Sequence, residues 1–175
     1  KNTTSGFNTF IGDRTGFYTT TGHSNTFMGY ITGWQTTTGN YNTFLGWRCG
    51  HANTTGIKNV FIGAGSSFRS TTGQYHVVMG TDAGFYMTTS TANTFIGFES
   101  GYYNTGSYNT FLGSHSGRGS SGSSGGDNVC IGRRSGYSLT SGNSNTFIAL
   151  NSGYSNTTGY YNTFIGRSSG FSNIS

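Results

Sequence analysis

Asp82, Glu99 and His115 follow one another at steps of 17 and 16 residues in a chain otherwise poor in charge. Two carboxylates and an imidazole brought into line could exchange protons or hold a cation. The same register is filled elsewhere by Arg14, Arg48, Arg134, Asn151 and Ser168. That mixture reads as a solvated, unconstrained face. His23, His51, His76 and His115 fall in four different registers, so they form no column of metal ligands. No phosphate-binding loop, nucleophile elbow or CxxC spacing occurs. The expectation is a protein with no catalytic residue, no cofactor and no metal. Cys49 and Cys130 lie five repeats apart, about 24 Å at ~4.8 Å per stacked strand. A disulfide needs Cα atoms within about 7 Å, so no bridge within the chain is expected; one between chains stays open.

Threonine is the next candidate. Thr20, Thr37, Thr54, Thr71 and Thr88 share one register, and Thr21, Thr38, Thr55, Thr72 and Thr89 share the next. A flat threonine array could order water, which makes ice binding an alternative function. Adjacent positions point to opposite sides of a strand, however, and the columns fade after Thr89. The simpler role is hydroxyl bonding to turn backbone. Asn-X-Ser/Thr sequons stand at Asn2, Asn53, Asn156 and Asn173 and are possible glycosylation sites.

These registers come from a repeat. The motif Asn-Thr-Phe-(Ile/Leu/Met)-Gly, or a close variant, begins at Asn8, Asn25, Asn42, Asn59, His76, Asn93, Asn109, Asn128, Asn145 and Asn162. The step is 17 residues, except for one of 16 and one of 19. Counted from that Asn, the unit reads N-T-F-I-G-x-x-S-G-(F/Y/W)-x-x-T-T-G-x-x. Glycines at positions 5, 9 and 15 predict three corners, since glycine takes φ > 0 freely. The apolar runs between corners are too short for helices and fit short strands. A unit of this size cannot bury its own apolar face, but stacked copies can. The predicted fold is all-β: a β-solenoid of ten coils of about 17 residues, spanning 1–175 as a single domain, with handedness left open. Residues 116–127, SGRGSSGSSGGD, form a Gly/Ser-rich insertion in the seventh repeat, read as a surface loop.

Composition agrees. The 175 residues include 31 Gly and no Pro, and 7% are charged. Collagen is excluded by the lack of a three-residue glycine period. A membrane-spanning helix is excluded because no apolar run nears the ~20 residues required. The net charge of +5 reflects scarce acids more than a basic stripe, so nucleic acid is not an expected partner.

Two aromatic columns follow from the repeat. At position 3 stand Phe10, Phe27, Phe44, Phe61, Phe95, Phe111, Phe147 and Phe164. At position 10 stand Phe17, Trp34, Phe68, Phe85, Tyr102, Tyr137, Tyr154 and Phe171. Val60, Val77 and Val129 at position 2 favour an inward face made of positions 2 and 4, which leaves the phenylalanines outside. Alternation alone also allows the reverse. Either way both faces of the strand are apolar, which predicts burial by partner chains.

The stretch NTTGYYNTFIGRSSGFSN (Asn156 to Asn173) resembles repeats of tail-fibre-like proteins of bacteria and their phages. More loosely, the chain is similar to the head repeats of trimeric autotransporter adhesins, with Thr9 and Ile11 in the inward places and bulky Phe10 where that family has alanine. The resemblance covers all ten repeats. It implies a trimeric parallel β-roll, exposed outside the cell or on a cell or virion surface, acting as an adhesive shaft with surface glycans as possible ligands. Lys1 falls at position 11 of a coil and Ser175 at position 14. Two readings fit such ends: a segment of a longer protein, or copies capping one another head to tail. The expected function is an extracellular structural fibre subunit that assembles with copies of itself into a filament or trimeric shaft. A carbohydrate-binding or carbohydrate-active β-helix is the further alternative.

Overall fold

The computed structural model describes residues 6–175. Those residues contain no helix. Ten three-residue strands run from β1 (Thr9–Ile11) through β5 (Val77–Met79), β6 (Thr94–Ile96), β7 (Thr110–Leu112) and β8 (Val129–Ile131) to β10 (Thr163–Ile165). They form one parallel sheet in strict sequence order. Every pairing joins equivalent repeat positions, as in Phe27 against Phe44 and Leu45 against Ile62. The expected β-solenoid is the fold.

Register survives the irregular steps. Thr94 pairs with Thr110 across the 16-residue step, and Thr110 with Val129 across the 19-residue step. Ser116 and Gly117 keep their regular places: the Ser116 hydroxyl donates to the Cys130 carbonyl at 2.6 Å. The extra residues are taken up by a turn in which the Ser123 hydroxyl donates to the Ser120 carbonyl.

The structure reverses the favoured orientation of the strand. Phe27, Phe44, Phe61, Phe95, Phe111 and Phe147 are fully buried, with Phe10 and Phe164 packed against them. Thr9 and Ile11 face outward. The cause lies at position 9. A Cβ on Gly33 would sit 2.6 Å from Cε2 of Phe27, so the ring lies directly on bare glycine backbone. The other inward positions carry small or polar residues such as Ser66, Asn53 and Thr36. In the coils that have it, the phenylalanine ring is the largest side chain in the cross-section. Rings of successive coils then stack at 4.7 Å, as in Phe27–Phe44 and Phe44–Phe61.

The three glycine corners need revision as well. Positions 5 and 9 are left-handed, as at Gly29 (φ 138) and Gly33 (φ 58). Position 15 is not; its glycines permit close coil approach, and a Cβ on Gly39 would lie 2.5 Å from the Gly56 carbonyl oxygen. Two further left-handed corners fall at positions 7 and 17, on residues such as Ile31 (φ 56) and Lys58 (φ 56). Non-glycine residues hold these angles at a cost of roughly 1–2 kcal/mol each. The stacked coils over-determine them through bonds such as Ile31 N–H to the Asp13 carbonyl.

Position 1 carries a buried asparagine ladder. The Asn42 amide donates from Nδ2 to the Gly56 carbonyl at 2.8 Å, and its Oδ1 accepts the Asn59 N–H at 3.0 Å. One side chain thus satisfies two backbone groups of the next coil, where an unpaired group would cost about 1–3 kcal/mol. The pattern repeats at Asn25, Asn59 and Asn145.

Candidate functional site

The structure brings Glu99 and His115 together, with Arg118 added. Arg118 Nε donates to Glu99 Oε2 at 2.6 Å, and His115 Nε2 lies 3.7 Å from the same oxygen. All three side chains are largely covered. Burial and the nearby Glu99 charge raise the Asp82 carboxyl above its ordinary range. Burial lowers His115, against the raising effect of Glu99. Glu99 is neutralised by a short charge-assisted bond and is not aimed into open space. The group is a clamp between two coils.

Its position explains why it exists. The position 10 column runs as an outer stack: Phe17–Trp34 at 4.9 Å, Phe68–Phe85 and Tyr137–Tyr154 at 5.0 Å. His51 serves as a rung 4.8 Å from Phe68. The seventh repeat has no ring here. Arg118 takes the place, its guanidinium 5.3 Å from the Tyr102 ring centre and 5.8 Å from that of Tyr137. A cation between two ring faces continues the stack, and Glu99 holds it there. The column therefore continues through Tyr102, Arg118, Tyr137, Tyr154 and Phe171. Because ring faces are covered by their neighbours in the stack, the column offers mostly ring edges to solvent rather than platforms for a sugar.

The threonine columns divide. Thr37, Thr54 and Thr71 donate their hydroxyls to the carbonyl of the equivalent residue one coil on, each at 3.2 Å. That register is a structural ladder. Thr21, Thr38, Thr55, Thr72 and Thr89 are exposed. The two registers do not form one flat array of hydroxyls.

The sequons are corrected in part. Asn53 and Asn156 are buried, with side chains inside the coil, so neither presents an amide for a glycan on the folded rod. Asn173 Oδ1 accepts a bond from Asn156 Nδ2 at 2.8 Å. Asn2 lies outside the described residues. Cys49 and Cys130 are free and buried, and burial pushes both thiols up. Their enclosure leaves no thiol at the surface for a bond between folded chains. No group of three or more metal-binding side chains occurs among the described residues, and no helix there is long and apolar enough to cross a membrane.

The outward side of the sheet is a further surface feature. Position 4 presents an aliphatic ridge that includes Ile11, Met28, Met79, Ile96 and Ile165 among the exposed residues. The position 2 threonines and valines lie beside it, and neither column contains a charge. Exposed Tyr30, Trp47 and Phe98 flank one side, and Tyr41, Tyr75 and Tyr108 the other. Sequence reasoning expected an apolar outer stripe and assigned it to the wrong residues.

Fold and surface together define a parallel β-solenoid repeat protein. Comparison with protein families, curated proteins and solved structures finds no match to the chain.

Proposed function

We propose that this protein is a structural fibre subunit, acting outside the cell or on a cell or virion surface, that assembles with copies of itself. The observation that carries the reading is the continuity of the inter-coil pattern. In-register strand pairing runs from β1 to β10, and asparagine and threonine bonds repeat between successive coils. A pattern that recurs from coil to coil can be extended by any further coil of the same kind, whether in the same chain or in another. The exposed ridge adds a lateral surface. The cluster of Glu99, His115 and Arg118 serves the stack, so we assign the protein no catalytic step. An adhesive role, with surface glycans as ligands, extends the same reading to the rod's flanks.

Electron microscopy of the undenatured protein is the test. Long filaments of uniform width are the expected result. Discrete short rods at all concentrations, or rods that show thermal hysteresis, would overturn it in favour of a module of another kind.

A further inference from the structure

We infer that the outward face of the sheet is a self-association surface, on which a second copy of this chain lies parallel and in step, rung against rung. The inference rests on the structural reading above and names the surface it uses.

Size is the first argument. Ten rungs at ~4.8 Å give a strip about 48 Å long, and about 17 Å across with flanking side chains, roughly 800 Å². That is the area each partner gives to a standard stable interface. Met79 and Ile96 near its centre are 37% and 39% exposed on the lone chain, and a monomer rarely leaves so long a continuous apolar strip wet.

Pitch is the second argument. The ridge repeats once per strand, and only another sheet of the same spacing meets it at every rung. A second copy has that spacing by construction.

Charge is compatible with this orientation. When two copies lie parallel in step, the position 6 flank of each faces the position 17 flank of the other. Arg133 then faces the partner's Asp127. The other charged flank residues meet no like charge: Asp13 faces phenylalanine, Lys58 faces alanine and Arg167 faces tyrosine. The contact needs no matching of rod ends, because each rung meets its own equivalent. It serves equally for two copies or for a closed ring of three.

Sedimentation equilibrium at low salt, on the native chain and on Met79→Glu, Asp127→Arg and Asp127→Arg/Arg133→Asp, tests the inference. Circular dichroism confirms the fold of each, and Ile96→Lys stands in if Met79→Glu fails to fold. The wild type should associate. A charge on the ridge should weaken association about a hundredfold, as desolvating an unpaired charge costs several kcal/mol. Asp127→Arg should weaken it several-fold, and the double exchange should restore it. A wild type that stays a single chain, ridge variants that associate normally, or a double exchange that fails to rescue would overturn the inference. Micrographs separate the two readings. Paired rods that never elongate sink the fibre and keep the surface. Filaments of unchanged width from Met79→Glu keep the fibre and sink the surface.

Discussion

Met87 is fully buried in the same coil in which Val78 replaces the core phenylalanine. Position 12 is polar in almost every coil, as at Thr36, Asn53, Ser70 and Asn104. It becomes large and apolar at Met87 and again at Leu139. Leu139 shares its coil with Cys130, the other replacement for phenylalanine. Each coil that lacks the ring carries added apolar bulk at position 12, which would offset part of the lost core volume.

That pairing predicts coupling. Val78→Phe alone should overpack its coil and destabilise by about 1–3 kcal/mol. Met87→Ser alone should leave a cavity and cost about 2–4 kcal/mol. Together they rebuild the common coil, and the loss should be smaller than the sum by about 1–3 kcal/mol. Urea unfolding of the four chains measures the cycle. Strict additivity would show that the two positions do not share volume.

The same pairing shows what could be read in advance. The period, the strand in each NTFIG segment and the aromatic recurrence at position 10 were all legible, because each is carried by residue types that recur. The facing of the strand was not legible from alternation, since phenylalanine on one side and isoleucine on the other are both apolar. The telling signal was correlation: Met87 appears with Val78 and Leu139 with Cys130, so position 3 must share a core with position 12. The left-handed corners at positions 7 and 17 gave no signal. Arg14, Ile31, Asp82 and Ser168 have no side-chain chemistry in common, and the turn is imposed by inter-coil bonds such as Asp82 N–H to the Ala64 carbonyl. The Glu99–Arg118 clamp was half legible. Glu99 and His115 share a register, but Arg118 joins them only because it occupies the empty rung of the aromatic column.

Ala149 marks a strained corner. It stands at position 5 with φ 106, where the other nine coils have glycine. An L-residue resists that angle, and a Cβ on Gly132 would lie 2.6 Å from the Ala149 carbonyl carbon, so the coils are already close. Ala149→Gly should stabilise the protein by about 1–2 kcal/mol, with the relief of strain exceeding the entropy gained by the unfolded chain. A raised melting temperature checks this; an unchanged or lowered one would show that the corner is unstrained.

Arg118 carries two jobs at once, as rung and as counter-ion. Arg118→Ala should remove the cation between Tyr102 and Tyr137 and leave Glu99 partly covered beside Asp82, with a loss of about 1–3 kcal/mol. Arg118→Gln, which keeps length and drops charge, should recover little. Glu99→Gln in the Arg118→Ala background should recover part of the loss by removing the unpaired carboxylate. Denaturant unfolding distinguishes these outcomes from a screened surface pair, for which all the variants would match the wild type within about 0.5 kcal/mol.

His76 makes the asparagine ladder sensitive to pH. It replaces asparagine at position 1 and performs the same two bonds. Nδ1 accepts the Asn93 N–H at 3.0 Å, so the ring proton resides on Nε2, which meets the Ser90 carbonyl at 2.8 Å. The ring is buried against Phe61, 6.3 Å between centres. The polar groups bonded to the ring, the Ser90 carbonyl and the Asn93 N–H, are both uncharged. Burial pushes the imidazole from 6.5 down to about 4. The unfolded chain therefore binds a proton at a higher pH than the folded one. Stability from this group is complete above pH 6.5 and falls as pH drops from there towards 4, by about 3 kcal/mol in all at ~1.4 kcal/mol per unit. Protonation at Nδ1 would set an N–H against the Asn93 N–H and break the ladder at mid-rod. His76→Asn restores the ladder with a group that does not titrate. The wild type should lose stability relative to His76→Asn as urea unfolding is repeated from pH 7 to pH 4. Parallel pH profiles for the two chains would show that the ring is not held neutral by the ladder.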